Sequence, residues 1–290
     1  MPVSRRRALA LLGLTGAGAA GLITAVTGGG APGPAPKIAD GTTRSKDRYG
    51  DTARQVGEWW LPAEPGPRPT VVLVHGGYWR DTYDLTLEDA LAADLAGRGY
   101  VVWNIDYAPS SEPWPATLTD AAAAYDHAFT GLHADRVDAG KVAVVGHSAG
   151  GHLALWLASR TNLPAGAPGT GDHVVPALAV PQAPVASLVT ASTLGLGGGA
   201  VDALLGGSPT KVPDRYAIAD PVALVPSGVR TVLVHGTGDD IVPLSQSEDY
   251  LKVAQDCTLV KVPGDHFTHL DPTSEACAAL RTALATLTAS

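Results

Sequence analysis

The chain has 290 residues, 45% of them hydrophobic, and a formal net charge of −8. That length suits one large α/β domain or two small ones, and the apolar share is enough for a sizeable buried core. An acidic chain with no basic cluster beyond its first residues is a poor fit to nucleic acid, and its 34 Gly and 23 Pro show no collagen-like period.

At the N-terminus, Met1 to Ser4 lead into Arg5, Arg6 and Arg7, and an acid-free apolar run extends from Ala8 to Val26. A basic patch ahead of an apolar stretch is the pattern of a secretory signal. Adjacent arginines before a weakly hydrophobic, Gly- and Ala-rich run resemble a twin-arginine signal, which exports folded proteins. As a helix the run would reach roughly 28 Å, near the hydrocarbon thickness of a bilayer, so a retained N-terminal anchor is the alternative to cleavage. Residues 1–30 are thus read as an export signal, residues 31–48 as a flexible Gly/Pro/Ala-bearing linker, and residues 49–290 as the folded domain. The expected location is outside the cytoplasm, in the envelope or beyond, with no other membrane contact.

From Tyr49 onward, strand and helix signals alternate. Val71 to Val74 is an apolar, β-branched run ending in His75-Gly76-Gly77. Tyr100 to Ile105 ends at Asp106, Val142 to Val145 at Gly146, Thr231 to Val234 at His235-Gly236, and Leu259 to Val262 before Pro263-Gly264. Helical stretches run over Leu87–Ala96, Leu118–Leu132, His152–Ser159, Ser245–Ala254 and Ser274–Leu287. Short apolar strands alternating with helices predict an α/β fold with a mostly parallel central sheet and helices on both faces. Ligands of such sheets sit beyond the C-terminal ends of the strands. Every chemically suggestive polar residue falls at one of those ends.

The strongest motif is Gly146-His147-Ser148-Ala149-Gly150, directly after an apolar strand and directly before a helix. A serine on such a turn has a strained backbone and an exposed hydroxyl, and small residues two positions either side let the chain reverse. The helix behind it adds a positive dipole end. The competing reading, an ordinary strand–helix turn, loses ground once partners are found. A serine hydroxyl needs a base, and His266 lies just past the last strand. A carboxylate must orient that imidazole, and Asp239 sits in the loop after the preceding strand. Asp239 is preferred to Asp240 for its spacing to Val242-Pro243, and His266 to His269. The chain order Ser, Asp, His is that of the nucleophile-elbow hydrolases. Backbone amides of Ala149 and of Gly77 or Tyr78 are the candidate oxyanion donors. Tyr78 and Trp79 are placed as walls of an acyl or aryl pocket, and Trp114, beyond another strand end, as a further pocket candidate.

Together these residues resemble the α/β-hydrolase superfamily, and more narrowly its esterase and arylformamidase (kynurenine formamidase-like) branch, through His75-Gly76-Gly77-Tyr78-Trp79 and the segment Gly146 to Gly151. The resemblance runs from about Tyr49 to the C-terminus and takes in Arg215-Tyr216-Ala217 through Asp220-Pro221 and the Asp239 and His266 loops. It implies an α/β-hydrolase fold whose variable cap lies around residues 161–213. Asp106-Tyr107-Ala108 departs from the Tyr-Arg pair many relatives carry at that turn.

The remaining candidates take bland readings. His147 and His152 are expected to pack or bond locally, His235 to open a turn, and His127, His133 and His173 to lie at the surface. Trp103 and Trp156 are expected in the core. No His-Glu-x-x-His or Cys/His cluster suggests a metal, and no phosphate or dinucleotide loop suggests a cofactor, so none is expected. Cys257 should open the last strand and Cys277 the last helix, levels separated by roughly 15 Å, so two free, buried thiols are expected. The leading function is hydrolysis of a small-molecule carboxylic ester through an acyl-enzyme. Hydrolysis of an aryl formamide such as N-formylkynurenine is the alternative, and a non-catalytic binding protein on a hydrolase scaffold is the alternative of another class.

Overall fold

The apolar runs become neighbouring parallel strands. The computed structural model describes residues 38–288, so the expected export signal and residues 31–37 lie outside the described residues. Its sheet has eight strands: β1 (Thr43–Arg48), β2 (Val56–Leu61), β3 (Arg68–Val74), β4 (Val101–Ile105), β5 (Val137–His147), β6 (Leu178–Gln182), β7 (Thr231–Gly236) and β8 (Cys257–Val262). The spatial order is β1-β2-β4-β3-β5-β6-β7-β8. β1 pairs with β2, and β2 with β4, in antiparallel fashion, while every pair from β4 to β8 is parallel.

Among the described residues eight α-helices accompany the sheet: α1 (Asp89–Ala96), α2 (Ala116–His127), α3 (Ala149–Ala158), α4 (Leu188–Thr193), α5 (Ala200–Leu205), α6 (Pro213–Ala219), α7 (Ser245–Val253) and α8 (Glu275–Ala285). Successive strand residues feed opposite layers, as the period of two requires. Val72, Val74, Val142 and Val144 pack with Leu118, Tyr125, Leu153 and Trp156 of α2 and α3. Val71, Leu73, Ala143 and Val145 pack with Leu91 and Leu95 of α1 and Leu280 and Leu284 of α8. Both faces of the central strands are therefore dry, which is why those strands read as unbroken apolar runs.

Two boundaries differ from expectation. The linker does not extend to residue 48, because residues 43–48 form β1, whose polar sequence Thr-Arg-Ser-Lys-Asp-Arg reflects an edge strand that is largely solvent-facing. The cap region is not continuous over 161–213, because β6 lies inside it as an interior strand between β5 and β7. Both cysteines are free, with Cys277 buried and Cys257 only half-buried, which corrects the expectation of two buried thiols. Cys257 is the first residue of β8, at a strand end where side chains meet solvent.

Glu88, immediately before α1, is fully buried, and neither of its carboxyl oxygens has a partner among the described residues. Burial lifts its carboxyl from 4.5 to about 8, with Asp89 adding to the effect. Between those pH values the folded protein holds a proton that the unfolded chain has released, so stability falls as pH rises through the window. Glu88→Gln should flatten the decline of Tm between about pH 5 and 8, which thermal unfolding across that range checks; equal slopes in both proteins would contradict it.

Candidate active site

β5 delivers Ser148 to a turn with φ 56° and ψ −116°, and α3 starts at the next residue. Positive φ is rare for a residue with a side chain and marks stored strain. The flanking glycines are dictated by contact. A Cβ on Gly146 would lie 2.2 Å from the Gly150 carbonyl oxygen, and one on Gly150 would lie 2.0 Å from that of Val74. The Ser148 amide donates to the Gln182 carbonyl at 2.8 Å, and its own carbonyl accepts from the His152 amide at 3.0 Å. The elbow is thereby locked by its backbone. The Ala149 amide is in the first turn of α3, where no earlier carbonyl of the helix reaches it.

The loop after β3 runs alongside. Gly77, Tyr78 and Trp79 have φ of 107°, 51° and 55°, a run of positive φ that is rare for residues with side chains. His75 braces it: Nδ1 donates to the Gly76 carbonyl at 2.7 Å, Nε2 lies 3.1 Å from Asp106, and the ring stacks on Tyr107 at 4.3 Å. Arg54 holds the same Asp106 oxygen at 3.0 Å. The Tyr78 hydroxyl donates to the Ile241 carbonyl at 3.1 Å, joining this loop to the one that carries Asp239. Burial and the nearby Asp239 carboxylate push the Tyr78 phenol up to about 12. Arg80 reaches the Gly197 carbonyl between α4 and α5.

Asp239 Oδ1 accepts the amides of Ile241 at 2.9 Å and Val242 at 2.8 Å, and Oδ2 accepts His266 Nδ1–H at 2.7 Å. Burial alone would raise its pKa. Hydrogen bonds from His235 and His266, followed by the charge of His266, outweigh that and hold the carboxyl well below the usual carboxylate range. His266 is placed by its predecessor Asp265, whose side chain accepts the amides of Phe267 and Thr268, each at 3.0 Å. Of the two aspartates weighed from the sequence, the inner one faces the imidazole, whereas Asp240 is exposed. His269 is fully buried, 3.5 Å from Gln182 through Nδ1, and burial together with His235 and His266 lowers it to about 3.

His147 joins the serine turn to the histidine loop. Its Nε2 donates to the His266 carbonyl at 2.8 Å and its ring lies 4.6 Å from that of His266. Burial, and next the neighbouring His266 and His269, hold it well below the ordinary histidine range. Ser148 is 2% and His266 3% exposed, so both are shielded from bulk water. Among the described residues no hydrogen bond joins the Ser148 hydroxyl to His266; such bonds are commonly long until substrate is bound.

Three further placements bear on the sequence reading. Trp79 is not a pocket wall: it is completely buried, edge-on to His152 at 5.2 Å, because the left-handed turn swings its ring into the core beneath the loop. Trp114 is half-buried against the core, with the Arg215 guanidinium 5.7 Å from its ring. His235 is more than a turn residue, since it lies 3.4 Å from Asp239 Oδ2. Its position at a strand end, four residues before the aspartate, was the available signal.

Comparisons with known proteins bear on the fold and the family. The chain is 27% identical over 125 residues to a kynurenine formamidase of Drosophila melanogaster, covering 42% of this chain and 40% of that protein. It is 32% identical over 127 residues to the esterase LipC of Mycobacterium tuberculosis, covering 42% of this chain and 31% of that one. The matched segments thus span less than half of these relatives. Among solved structures, a truncated carbohydrate esterase from gut microbiota superposes with a TM-score of 0.73 at 18% identity, covering 87% of this chain and 99% of that one. Esterase B of Lactobacillus rhamnosis, carrying a tributyrin phosphonate inhibitor, gives 0.71 at 22% identity, covering 87% and 88%. The architecture is the α/β-hydrolase fold. The BD-FAE family model matches residues 59–253, about two thirds of the length, and the chain belongs to that family.

Proposed function

We propose that this protein hydrolyses carboxylic esters through an acyl-enzyme formed on Ser148. The observation that carries the reading is the 2.7 Å bond from His266 Nδ1–H to Asp239, set beside a serine held at φ 56° between a strand and a helix N-terminus. In this reading Ser148 Oγ attacks the ester carbonyl carbon while His266 Nε2 takes its proton. The negative charge on the carbonyl oxygen is met by the amides of Ala149 and of Gly77 or Tyr78. His266 then gives its proton to the departing alcohol as the carbon–oxygen bond breaks. Water, deprotonated by the same imidazole, releases the acid. Asp239, with both oxygens engaged, fixes the ring and stabilises its charged form. Esterases among the relatives support an ester as the substrate.

The kynurenine formamidase match supports a second reading, in which the same groups cleave an aryl formamide. The experiment is turnover of a series of p-nitrophenyl esters, from acetate upward, beside N-formylkynurenine. Ester turnover with little action on the formamide is the expected outcome; the reverse would replace the first reading with the second. Residues 1–30 belong to the proposal as a twin-arginine-type export signal, on the strength of Arg5, Arg6 and Arg7 ahead of an acid-free apolar run. That reading places the enzyme outside the cytoplasm.

A further inference from the structure

His235, the penultimate residue of β7, is completely buried, four residues before Asp239. Its Nε2 lies 3.0 Å from the Val242 carbonyl oxygen and 3.4 Å from Asp239 Oδ2, the oxygen that His266 holds at 2.7 Å. Its Nδ1 lies 2.7 Å from the hydroxyl of Ser247, which is itself fully buried on α7. A carbonyl oxygen only accepts, so Nε2 carries a hydrogen directed at Val242, with Asp239 Oδ2 3.4 Å from the same nitrogen. In the neutral ring, Nδ1 is then an acceptor and the Ser247 hydroxyl its donor. Asp239 Oδ1 thus accepts two amides, while Oδ2 accepts His266 and has the His235 ring nitrogen 3.4 Å away.

We infer that His235 is a positioning residue for the reaction, a second imidazole whose tautomer Ser247 sets and which confines the Asp239 oxygen that His266 also holds. The inference rests on the Ser148–His266–Asp239 reading above. A carboxylate held by two amides and His266, with the His235 ring packed 3.4 Å from Oδ2, cannot rotate away from His266, and part of its charge is already engaged before His266 is protonated. Without the His235 donor, Oδ2 becomes a stronger acceptor and holds the charged form of His266 more tightly. The base is then freed of its proton only at higher pH. The other titratable groups facing this pair are His266, His269 and Asp265 from the loop after β8, His147 from the end of β5 and Tyr78 from the loop after β3. Substitutions at 235 and 247 leave all of them in place.

The test is the rate of fluorophosphonate labelling of Ser148 from about pH 5 to 9, in the full chain and in His235→Phe, His235→Gln and Ser247→Ala. In His235→Phe the plateau rate should fall roughly tenfold or more, the usual effect of losing a hydrogen bond to a charged group. Its acidic limb should move up by about half a unit to one unit. Glutamine, whose amide can still donate to Val242 and Asp239, should recover part of both changes, and Ser247→Ala should show the same shift in smaller measure. Variants that lose thermal stability while keeping the wild-type limb would assign His235 to packing alone and overturn the inference. Should His235→Phe fail to fold, an unmoved limb in Ser247→Ala overturns it just as well. An unlabelled wild type would remove the reading of the three groups and this inference with it, whereas a labelled wild type with unmoved limbs removes the inference alone.

Discussion

Ser148→Ala should lower kcat on a p-nitrophenyl ester about a million-fold, because a nucleophile that acts as one unit with its base contributes almost all of the covalent catalysis. The small remainder over water would come from the oxyanion donors and from binding. The change removes one oxygen from a side chain whose structural bonds are made by its backbone, to Gln182 and from His152. KM and the thermal midpoint should therefore stay close to wild type, so the loss cannot be laid to unfolding. Circular dichroism beside steady-state kinetics separates the two. A variant that keeps a tenth of the wild-type kcat would place the nucleophile elsewhere.

Asp239→Asn should cost roughly ten-thousandfold in kcat, since an amide presents a donor where the histidine must donate and selects the wrong ring tautomer. The geometry sharpens this expectation. Two amides donate to one oxygen and His266 to the other, so a rotated asparagine has no orientation in which its NH₂ escapes a donor. There is a stability consequence of definite sign. The carboxyl titrates lower in the folded than in the unfolded protein, for the reasons of hydrogen bonding given above. Its contribution is complete above the unfolded carboxylate pKa of about 4 and is lost as pH falls through the lower folded value. Asp239→Asn should lose that contribution at neutral pH, while Asp240→Asn, at an exposed position, should change neither kcat nor Tm appreciably. Kinetics and thermal melts of the two variants decide it, and a larger loss at 240 would reverse the assignment.

What the sequence disclosed follows from how each element is buried. β3, β4, β5, β7 and β8 are legible because most are dry on both faces and appear as β-branched runs ending in functional loops. β1 is polar along its length. β2, Val-Gly-Glu-Trp-Trp-Leu, is buried throughout but interrupted by Gly57 and Glu58; a Cβ on Gly57 would lie 2.4 Å from the Trp103 ring, and Glu58 is occupied by Arg44. β6 contains Pro181, which argues against an interior strand. The sheet accommodates it because β6 meets β7 only at Ala179–Thr231 and Gln182–Val234, so the missing N–H falls in a gap of that ladder. The helices α4, α5 and α6 are six or seven residues long and set among glycines, too short for a period to register.

The candidate site was legible to a greater degree, because its residues stand where strands end. The spacing around Ser148 is a steric requirement, as the contacts of Gly146 and Gly150 show. Trp79 misled for the opposite reason. A bulky aromatic next to a candidate oxyanion loop reads as a pocket wall, but its left-handed backbone buries it. His235 was passed over because its partners, Val242, Ser247 and Asp239, come from a loop and a helix that only the fold brings onto one ring.

The most direct test of the account is mass spectrometry of the protein after reaction with a fluorophosphonate. It predicts one adduct per chain, on the peptide containing Ser148, and none in Ser148→Ala. An adduct on another residue, or no adduct on folded wild-type protein, would contradict it.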